Sequence, residues 1–153
     1  MPPDPYVTTH IHTDGPIPGP HSLLTLTSAA HDVAGVPIST FTVNLRELPG
    51  ATLHPASVRE WRPRAEEWLS TRRAAQPPGL ATRAFLRWAA SLPGEPVFVV
   101  EPESYLFVYW YAQRYVGEWP FAGTVPAEVV THRHTAAALC TLASCQAQLA
   151  ATG

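Results

Sequence analysis

A short segment near the start of the chain holds the residues best suited to metal chemistry. His10 and His12 alternate within residues 6–12, a stretch rich in β-branched residues that predicts a β-strand. Because side chains alternate across a strand, both imidazoles project from one face. Imidazole nitrogens are common Zn²⁺ ligands, and Asp14 or Glu101 is a candidate oxygen ligand beside them. The spacing therefore raises a zinc site as one hypothesis.

The segment that follows, residues 14–20, predicts a rigid loop because it holds three prolines and two glycines. Asp14 is interpreted first as a turn residue whose carboxylate binds backbone amides next to Gly15, and second as a metal ligand. His21 and Ser22 come directly after the loop, where their polar atoms are candidate contacts for a substrate phosphate. Asp14, His21 and Ser22 are therefore the candidate substrate-binding residues.

Length and composition limit the class of protein. The chain has 153 residues, of which 46% are hydrophobic, which suits one domain with a core and is too few for two. Its net charge is −2 and every basic side chain is an arginine, so phosphate neutralisation alone is excluded as a way to hold nucleic acid. No apolar run reaches the roughly 18–20 residues of a membrane span. Because the spacing of Cys140 and Cys145 does not favour a disulfide, we expect a reduced, cytoplasmic protein.

Hydrophobic periodicity predicts an α/β protein with a mixed sheet covered by helices. The predicted strands are residues 6–12, 22–31, 36–44 and 96–100, and Asp32 to Gly35 forms a hairpin turn. A short helix is predicted to start at Ser57, with Glu60 completing a capping box, and a turn or two to follow at residues 66–69. The longer predicted helices are residues 80–92, 104–116 and 134–151. Residues 1–5 are expected to be a flexible lead-in to one domain at residues 6–151.

Residues 8–24 resemble the opening segment of the DnaQ-like (DEDD-type) 3′–5′ exonucleases. In bacterial members similar to the short exoribonucleases, the first strand ends in Asp-x-Glu, followed by a small residue and Asp-Gly-Pro-x-Pro-Gly. In this chain His10 stands at the Asp position and His12 at the Glu position, whereas the rest of the motif is kept. Further similar stretches are residues 44–51, 91–99, 107–111 and 117–121. The resemblance implies a ribonuclease H-like fold in a single domain.

The same resemblance implies a site for two divalent ions, Mg²⁺ or Mn²⁺, held by four carboxylates that clamp the attacking and leaving oxygens of a phosphodiester. The family's third acidic ligand corresponds to Ser104. Glu101 and Glu103 are nearby carboxylates, but they are out of register with that position. The third ligand position is therefore not clearly filled.

The family's last motif places a general-base histidine about five residues before an Asp on the final helix. His134 corresponds to that histidine, and Cys140 or Thr141 corresponds to the Asp. The stretch between residues 121 and 134 is shorter than in relatives, where it helps to form the substrate groove. Of the four acidic ligand positions that the resemblance implies, none is clearly filled.

An aromatic run within the helix predicted at residues 104–116 has two interpretations. At helical spacing in so apolar a segment, its members are interpreted as core and interface residues. The alternative is that they stack on nucleic-acid bases. The residues in question are Tyr105, Tyr109, Trp110 and Tyr111.

We predict a degenerate exonuclease-fold protein that does not use the two-ion mechanism and acts as a binding or assembly module. The expected partner is another protein or a second copy in a homodimer; nucleic acid is a further candidate, and no membrane partner or cofactor is expected. One alternative is an active 3′–5′ exonuclease or exoribonuclease in which His10, His12, His134 and a nearby Glu hold Mn²⁺ or Zn²⁺, with His132 as a further candidate imidazole. Another alternative is a zinc-binding structural protein.

Overall fold

The computed structural model describes residues 4–128, and its centre is a five-stranded mixed β-sheet. The strands are β1 (Tyr6–Thr13), β2 (Leu23–His31), β3 (Pro37–Asn44), β4 (Val97–Val100) and β5 (Gly123–Pro126), in the spatial order β3-β2-β1-β4-β5. The helices are α1 (Pro55–Trp61), α2 (Ala65–Arg72), α3 (Pro78–Ala90) and α4 (Pro102–Tyr115), with a 3₁₀ turn at Arg62–Arg64. The predicted mixed sheet with helices is therefore confirmed. The helix predicted at residues 134–151 lies outside the described residues.

β1, β2 and β3 form an antiparallel meander because their sequences alternate and a tight turn joins β2 to β3. On the buried face, the hydroxyls of Thr9 and Ser28 hydrogen-bond at 2.8 Å, which satisfies two polar groups inside the core. At the turn, Gly35 has a φ of 85° and the Asp32 carboxylate accepts bonds from two amides. The predicted hairpin turn is confirmed.

β4 runs parallel to β1, and β5 runs parallel to β4, with α4 as the connection between them. The chain just before β1 joins this pairing. The Val97 amide donates to the Pro5 carbonyl at 2.8 Å, and the Glu95 amide donates to the Asp4 carboxylate at 3.0 Å. Pro5 is fully buried, so Asp4 and Pro5 have defined contacts with β4 and the residues before it, and the flexible lead-in at residues 1–5 stays a prediction. Residues 1–3 lie outside the described part of the chain.

The hydrophobic core lies between the sheet and the pair of helices α3 and α4. Helical spacing brings Phe85 of α3 and Phe107 of α4 into one cluster with Phe98 of β4 and Val7 of β1, each at most 1% exposed. Burying an aromatic side chain of this size stabilises the fold by roughly 1.5–3 kcal/mol. These contacts fix the start of α4 beside the end of β1, where the candidate site lies.

The start of α1 differs from the prediction. The helix begins at Pro55, and the ring nitrogen Nδ1 of His54 caps it by accepting the Ala56 amide at 3.1 Å. A proline in the first turn needs no partner for a missing N–H, so it suits this position. The predicted capping box of Ser57 and Glu60 is therefore wrong, because both residues already lie inside the helix.

Other elements also differ from the prediction, since α3 is Pro78–Ala90 where residues 80–92 were predicted. α4 begins at Pro102, two positions before the predicted start, for the same reason that proline suits a first turn. β5 was not predicted, because a four-residue strand that contains a glycine and a proline carries little strand signal. Across residues 4–128, the helices are all too short or too polar to cross a membrane.

Candidate functional site

A cleft of about 320 Å³ opens at the end of β1. It lies between the last residues of that strand, the loop that follows, α1 with its 3₁₀ turn, and the start of α4. Its ionisable side chains are His12, His54, Glu60, Arg64 and Glu103. Both signs of charge therefore line the cleft, together with two imidazoles.

Of the predicted site residues that fall within residues 4–128, His12 alone lines this cleft. Its ring centroid lies 5.3 Å from that of Trp61, with the two planes tilted by 58°. Trp61 is 7% exposed, and its indole N–H donates to the Thr13 carbonyl at 3.2 Å. Trp61 is therefore a fixed aromatic wall against which the His12 imidazole packs.

Arg64 provides the positive charge at the rim of the cleft. Its guanidinium lies 4.9 Å from the centroid of the Trp61 ring and 3.8 Å from the Glu60 carboxylate. It also hydrogen-bonds to Glu67, and this contact raises the pKa of Arg64 and lowers the pKa of Glu67. Exposed ion pairs contribute little to stability, so the main consequence is a cation held over Trp61.

The loop between β1 and β2 is fastened at both ends. The Ser22 amide donates to the Asp14 carboxylate, and the Asp14 amide donates to the Ser22 carbonyl at 3.1 Å. The Ser22 hydroxyl accepts the Leu48 amide at 2.9 Å. The His21 ring lies so close to Gly15 that a Cβ there would be 2.1 Å from it. This loop is a packed structural unit, and only a glycine fits beneath His21.

The candidate substrate-binding residues Asp14, His21 and Ser22 are buried, with 3%, 8% and 0% exposure. A contact between any of them and a substrate phosphate would require the loop to open. The hydrogen bond from the Ser22 amide agrees with the turn interpretation of Asp14, although the amide it binds lies across the loop and not beside Gly15. The predicted phosphate contact stays a prediction.

Burial is the strongest influence on the Asp14 carboxyl and raises its pKa. The hydrogen bond from the Ser22 amide and the nearby His21 act in the opposite direction. The carbonyl of Asp14 accepts the His54 amide at 2.8 Å. Asp14 therefore ties the loop to the start of α1, which is how His54 reaches the cleft.

The other predicted ligand positions lie apart from the cleft or have local partners. His10 is exposed and does not line the cleft. Ser104 is 3% exposed, and its hydroxyl donates to the Glu101 carbonyl at 3.1 Å. Glu101, predicted as an oxygen ligand beside the histidines, lies instead in a groove next to β5. Glu103 is the carboxylate of this segment that reaches the cleft.

Among residues 4–128, the side chains at the predicted ligand positions do not fit a site for two Mg²⁺ or Mn²⁺ ions. Hard cations such as Mg²⁺ and Mn²⁺ require oxygen ligands, several of them anionic. Within residues 4–128, no three side chains of His, Cys, Asp or Glu come close enough to share a metal ion. The predictions for His132 and His134 as imidazole partners, and for Cys140 as a ligand position, concern residues outside the described range.

Sequence reasoning did not identify the side of the cleft formed by α1 and its 3₁₀ turn. Its members are His54, Glu60, Trp61 and Arg64. The available signals were a His-Pro pair at a helix start and a Glu-Arg pair at i,i+4. Both patterns are common on ordinary helices, so neither marks a site without the fold.

No protein-family model matches this chain, and no curated protein matches it. Its fold is nonetheless similar to solved structures of exonuclease I. Product-bound exonuclease I gives a TM-score of 0.64 at 10% identity, over 88% of this chain and 32% of that one. An exonuclease I structure that suggests how processivity is achieved gives 0.60 at 9% identity, over 79% and 27%. An exonuclease I/SSB-Ct complex gives 0.64 at 10% identity, over 88% and 31%.

The chain spans less than a third of the length of each of these exonuclease I chains. At 9–10% identity the similarity concerns the fold alone. It confirms the predicted fold class: a five-stranded mixed sheet in the order β3-β2-β1-β4-β5 with flanking helices, which is the ribonuclease H-like fold of exonuclease I.

Proposed function

We propose that this chain keeps the exonuclease fold without the two-ion nuclease reaction and acts as a binding or assembly module. The observation that supports this most is the donor set where β1 ends and α4 begins. Two divalent ions about 3.5–4 Å apart repel each other strongly, and enzymes offset this with anionic oxygens. His10, His12 and Ser104 supply none at the positions where the resemblance implies carboxylates.

The contacts of these residues also favour a structural role. The His12 imidazole packs on Trp61, and the Ser104 hydroxyl donates a hydrogen bond to the Glu101 carbonyl. The two carboxylates in the cleft, Glu60 and Glu103, come from different helices, and Glu60 has Arg64 within 3.8 Å. A cation would have to displace Arg64 before it bound Glu60.

Binding is supported by the cleft itself. Its volume of about 320 Å³ is at the lower end of the range for sites that hold small ligands. Trp61 offers a rigid apolar surface, and Arg64 and His54 offer hydrogen-bond donors beside it. A small planar or anionic group is the kind of ligand that such a cleft accommodates.

A nuclease assay tests the proposal. Purified protein is incubated with 5′-labelled single-stranded RNA and with DNA of the same sequence, in Mg²⁺, Mn²⁺ or Zn²⁺. We expect full-length strands under every condition. The matched variants are His12→Ala in the cleft and Arg83→Ala on the exposed side of α3. Metal-dependent shortening from the 3′ end that is lost in His12→Ala and kept in Arg83→Ala would refute the non-catalytic role.

The second candidate is an active 3′–5′ exonuclease or exoribonuclease with a His-rich site for Mn²⁺ or Zn²⁺. The observation that favours it is that His12, His54, Glu60 and Glu103 line one cleft, although no three of them lie close enough to share an ion, so this candidate requires them to move together. If this candidate is correct, Mn²⁺ or Zn²⁺ restores trimming where Mg²⁺ does not, because imidazole is a poor ligand for Mg²⁺.

A zinc-binding structural protein is the third candidate. Elemental analysis of the purified chain separates it from the other two. Stoichiometric zinc without trimming of either strand would favour a structural metal, and thermal stability would then fall on treatment with a chelator. The non-catalytic module without a cofactor predicts neither zinc nor an effect of the chelator on thermal stability.

A further inference from the structure

The sheet has two edge strands, and β3 is the less protected of the two. β5, at the other edge, is four residues long and ends in Pro126. β3 is eight residues long, and after Pro37 at its start it contains neither a proline nor a charged residue. Natural proteins usually block edge strands with prolines, charges or short length, because the unpaired amides and carbonyls can pair with another chain. Beyond its first residue, β3 lacks these protections.

The backbone of β3 presents hydrogen-bonding groups away from the sheet at every second residue. The Leu45 amide donates to a carbonyl of β2 at 2.8 Å, whereas the Asn44 carbonyl accepts the Gln76 amide at 2.8 Å on the opposite side. Because the bonding direction alternates along an antiparallel pair, the amides and carbonyls of Thr40 and Thr42 point the same way as the Asn44 carbonyl. In the described part of the chain, no backbone group bonds to Thr40 or Thr42 on that side.

Strand-type pairing along this edge already begins within the chain. Gln76 donates to the Asn44 carbonyl and accepts the Arg46 amide, both at 2.8 Å. The pairing stops there, because α3 starts two residues later at Pro78. The open part of the edge runs over residues 38–42, about 17 Å at 3.4 Å per residue. This length accommodates an added strand of about five residues.

The side chains beside the open edge differ on the two faces of the sheet. On the side of α3, the rings of Phe41 and Trp88 have centroids 5.8 Å apart, and the Trp88 indole donates to the Ser39 hydroxyl at 2.9 Å. These three side chains are half-buried, so an added strand would cover them further. On the opposite face, Thr40 and Thr42 are exposed. A strand with alternating apolar and hydroxyl-bearing residues therefore matches both faces.

Arginines surround the open edge. Arg46 and Arg73 are exposed at its C-terminal end, where the Arg73 carbonyl accepts the side-chain amide of the last β3 residue at 2.9 Å. Arg87 is exposed on α3, the helix that packs under β3 and contains no acid. Among the described residues, these three arginines form no ion pair, whereas the nearby Glu47 is paired with Arg72 at 2.9 Å. The edge is therefore complementary to acidic groups.

We propose that the β3 edge binds an extended segment of another protein as an added strand. The segment has alternating apolar and hydroxyl-bearing residues in its centre and acidic residues at its ends. Its backbone bonds to the outward groups of Thr40 and Thr42, its apolar residues lie beside Phe41 and Trp88, and its acidic ends meet the arginines. In strand addition, backbone bonds provide affinity and the alternate side chains provide specificity. The inference goes beyond the cleft and does not depend on it, since β3 can bind a peptide whether or not the cleft is catalytic.

The charges and the backbone groups favour this occupant over two others. A second copy paired through β3 about a two-fold axis near Thr40 would bring the two Arg87 side chains into one region, where like charges repel. A nucleic-acid strand could neutralise its phosphates with the arginines, but it has no regular series of amides for the outward carbonyls of β3. Asp32, in the turn before β3, has its carboxylate bound to two backbone amides. Arginine is therefore the exposed charge beside the open strand.

The probe is a synthetic peptide with two aspartates at each end and alternating valine and threonine between them. Fluorescence polarisation of the labelled peptide should show saturable binding below about 1 mM, the weak end of specific affinities. The same peptide N-methylated at its central residues loses its amide donors and should bind at least about tenfold more weakly. A peptide with lysine in place of aspartate should also bind more weakly, and salt should reduce the difference between the two peptides.

Variants of the protein test the same contacts. Thr42→Pro removes an outward amide and keeps the pairing with β2, because an edge strand tolerates proline where its amide faces solvent. We expect it to raise the dissociation constant of the peptide at least about tenfold, from a lost hydrogen bond and an unpaired peptide carbonyl. Thr42→Val is the matched control, which keeps the amide and should leave the constant unchanged. Arg87→Glu should weaken binding, whereas Arg62→Glu, in the 3₁₀ turn away from β3, should not.

Circular dichroism checks that each variant is folded. The proposal is overturned if the folded wild type does not bind the peptide, or if Thr42→Pro and N-methylation both leave binding unchanged. Sedimentation equilibrium tests the second copy, and a dimer that Thr42→Pro dissociates would assign the edge to self-association instead. Oligouridylate that displaces the peptide and binds Thr42→Pro as tightly as wild type would assign the arginines to nucleic acid and also overturn the proposal. The nuclease assay on the cleft bears on none of these outcomes.

Discussion

Asp14 lies at the start of the loop after β1, with its carboxylate buried and bound by the Ser22 amide. In a sequence motif that resembles a nuclease, an acidic residue invites a catalytic interpretation. Here its bonds run to Ser22 and, through its carbonyl, to the His54 amide. The effect of the buried Asp14 charge on stability can be separated by experiment from the effect of its hydrogen bonds.

The first prediction concerns Asp14→Asn. Burial raises the pKa of Asp14, so the folded state holds a proton more tightly than the unfolded state does. The stability this provides is fully present below the ordinary aspartate pKa of about 3.9 and is lost as pH rises through the raised pKa. Asparagine resembles the protonated form and keeps an acceptor for Ser22. Urea unfolding should therefore show the variant more stable than wild type at pH 7, with the difference shrinking as pH falls. A difference that is constant with pH would contradict this.

The second prediction concerns Gly15→Ala. The added methyl would lie 2.1 Å from the His21 ring, and the ring is enclosed by the loop. We expect a loss of about 1–3 kcal/mol in the free energy of unfolding, the usual cost of overpacking. Gly123→Ala is the control, because nothing lies within 4 Å of a Cβ at that position. Equal unfolding midpoints for the two variants would show that the loop gives way at little cost.

The sequence located the loop and the strand before it, because prolines, glycines and β-branched residues act locally. It did not separate the roles of His10 and His12, which share a strand face and are two positions apart. Only His12 meets Trp61, because Trp61 arrives from α1, some fifty positions along the chain. Partners at that separation leave no pattern in a single sequence.

At the scale of elements, the two faces of α4 have different surroundings. Phe107 and Tyr111 face the core, whereas Tyr109 faces solvent. The interpretation of the aromatic run as core and interface agrees with the burial of Tyr111. Burial also raises the pKa of Tyr111, so its phenol stays neutral and its oxygen accepts the Leu23 amide at 2.7 Å.

The third prediction follows from that bond. Tyr111→Phe keeps the ring and leaves the buried Leu23 amide without its acceptor, which costs about 1–3 kcal/mol of unfolding free energy. Tyr115→Phe is the control, because Tyr115 lies one helical turn further along α4 and is only half-buried. This substitution should change stability little. Chemical denaturation of both variants measures the difference. Tyr111→Phe as stable as Tyr115→Phe would mean that water or another group replaces the phenol.

Element prediction succeeded where periodicity was strong, as in α3 and the β2–β3 hairpin. It failed at boundaries set by single residues: His54 caps α1 in place of Ser57, and Pro102 opens α4. β5 was not predicted, because it forms a strand through its pairing with β4 and not because of its composition. Tertiary pairing overrides weak local propensity in such segments.

At the scale of the whole molecule, Arg72 joins the helical segment between β3 and α3 to the sheet. Its guanidinium donates to the carbonyls of Leu24 and Leu45, at 3.2 and 2.9 Å, and to the Glu47 carboxylate at 2.9 Å. A planar fork of donors suits three acceptors at once. Arg72 therefore fastens α2 to the sheet, next to the helix α1 that borders the cleft.

The fourth prediction is that Arg72→Lys loosens this attachment. Lysine keeps the charge and cannot reach three acceptors in one plane, so we expect a loss of about 1–3 kcal/mol of unfolding free energy, from hydrogen bonds to a charged group. Hydrogen exchange of the α2 amides should accelerate more than that of α3. Arg73→Lys, at an exposed neighbour, is the control. Equal protection of α2 in the two variants would contradict the role of Arg72.

The overall fold could be predicted from the sequence, because motifs spread along the chain imply a mixed sheet. The comparisons with exonuclease I confirm that fold. Only one side of the cleft could be predicted from the sequence. The resemblance pointed to the side that carries His12, and the structure added the side that carries Glu60 and Arg64. That second side depends on where α1 docks, which long-range bonds such as that of the His54 amide to Asp14 decide.

Glu103 borders the cleft with His12 and stands in the first turn of α4, so its carboxylate lies near the positive end of that helix's dipole. An anion that enters the cleft meets the repulsion of this carboxylate. Glu103→Gln should therefore raise the affinity of the cleft for an anionic ligand and lower it for a cationic one, and titration of both proteins with the same pair of ligands measures the two changes.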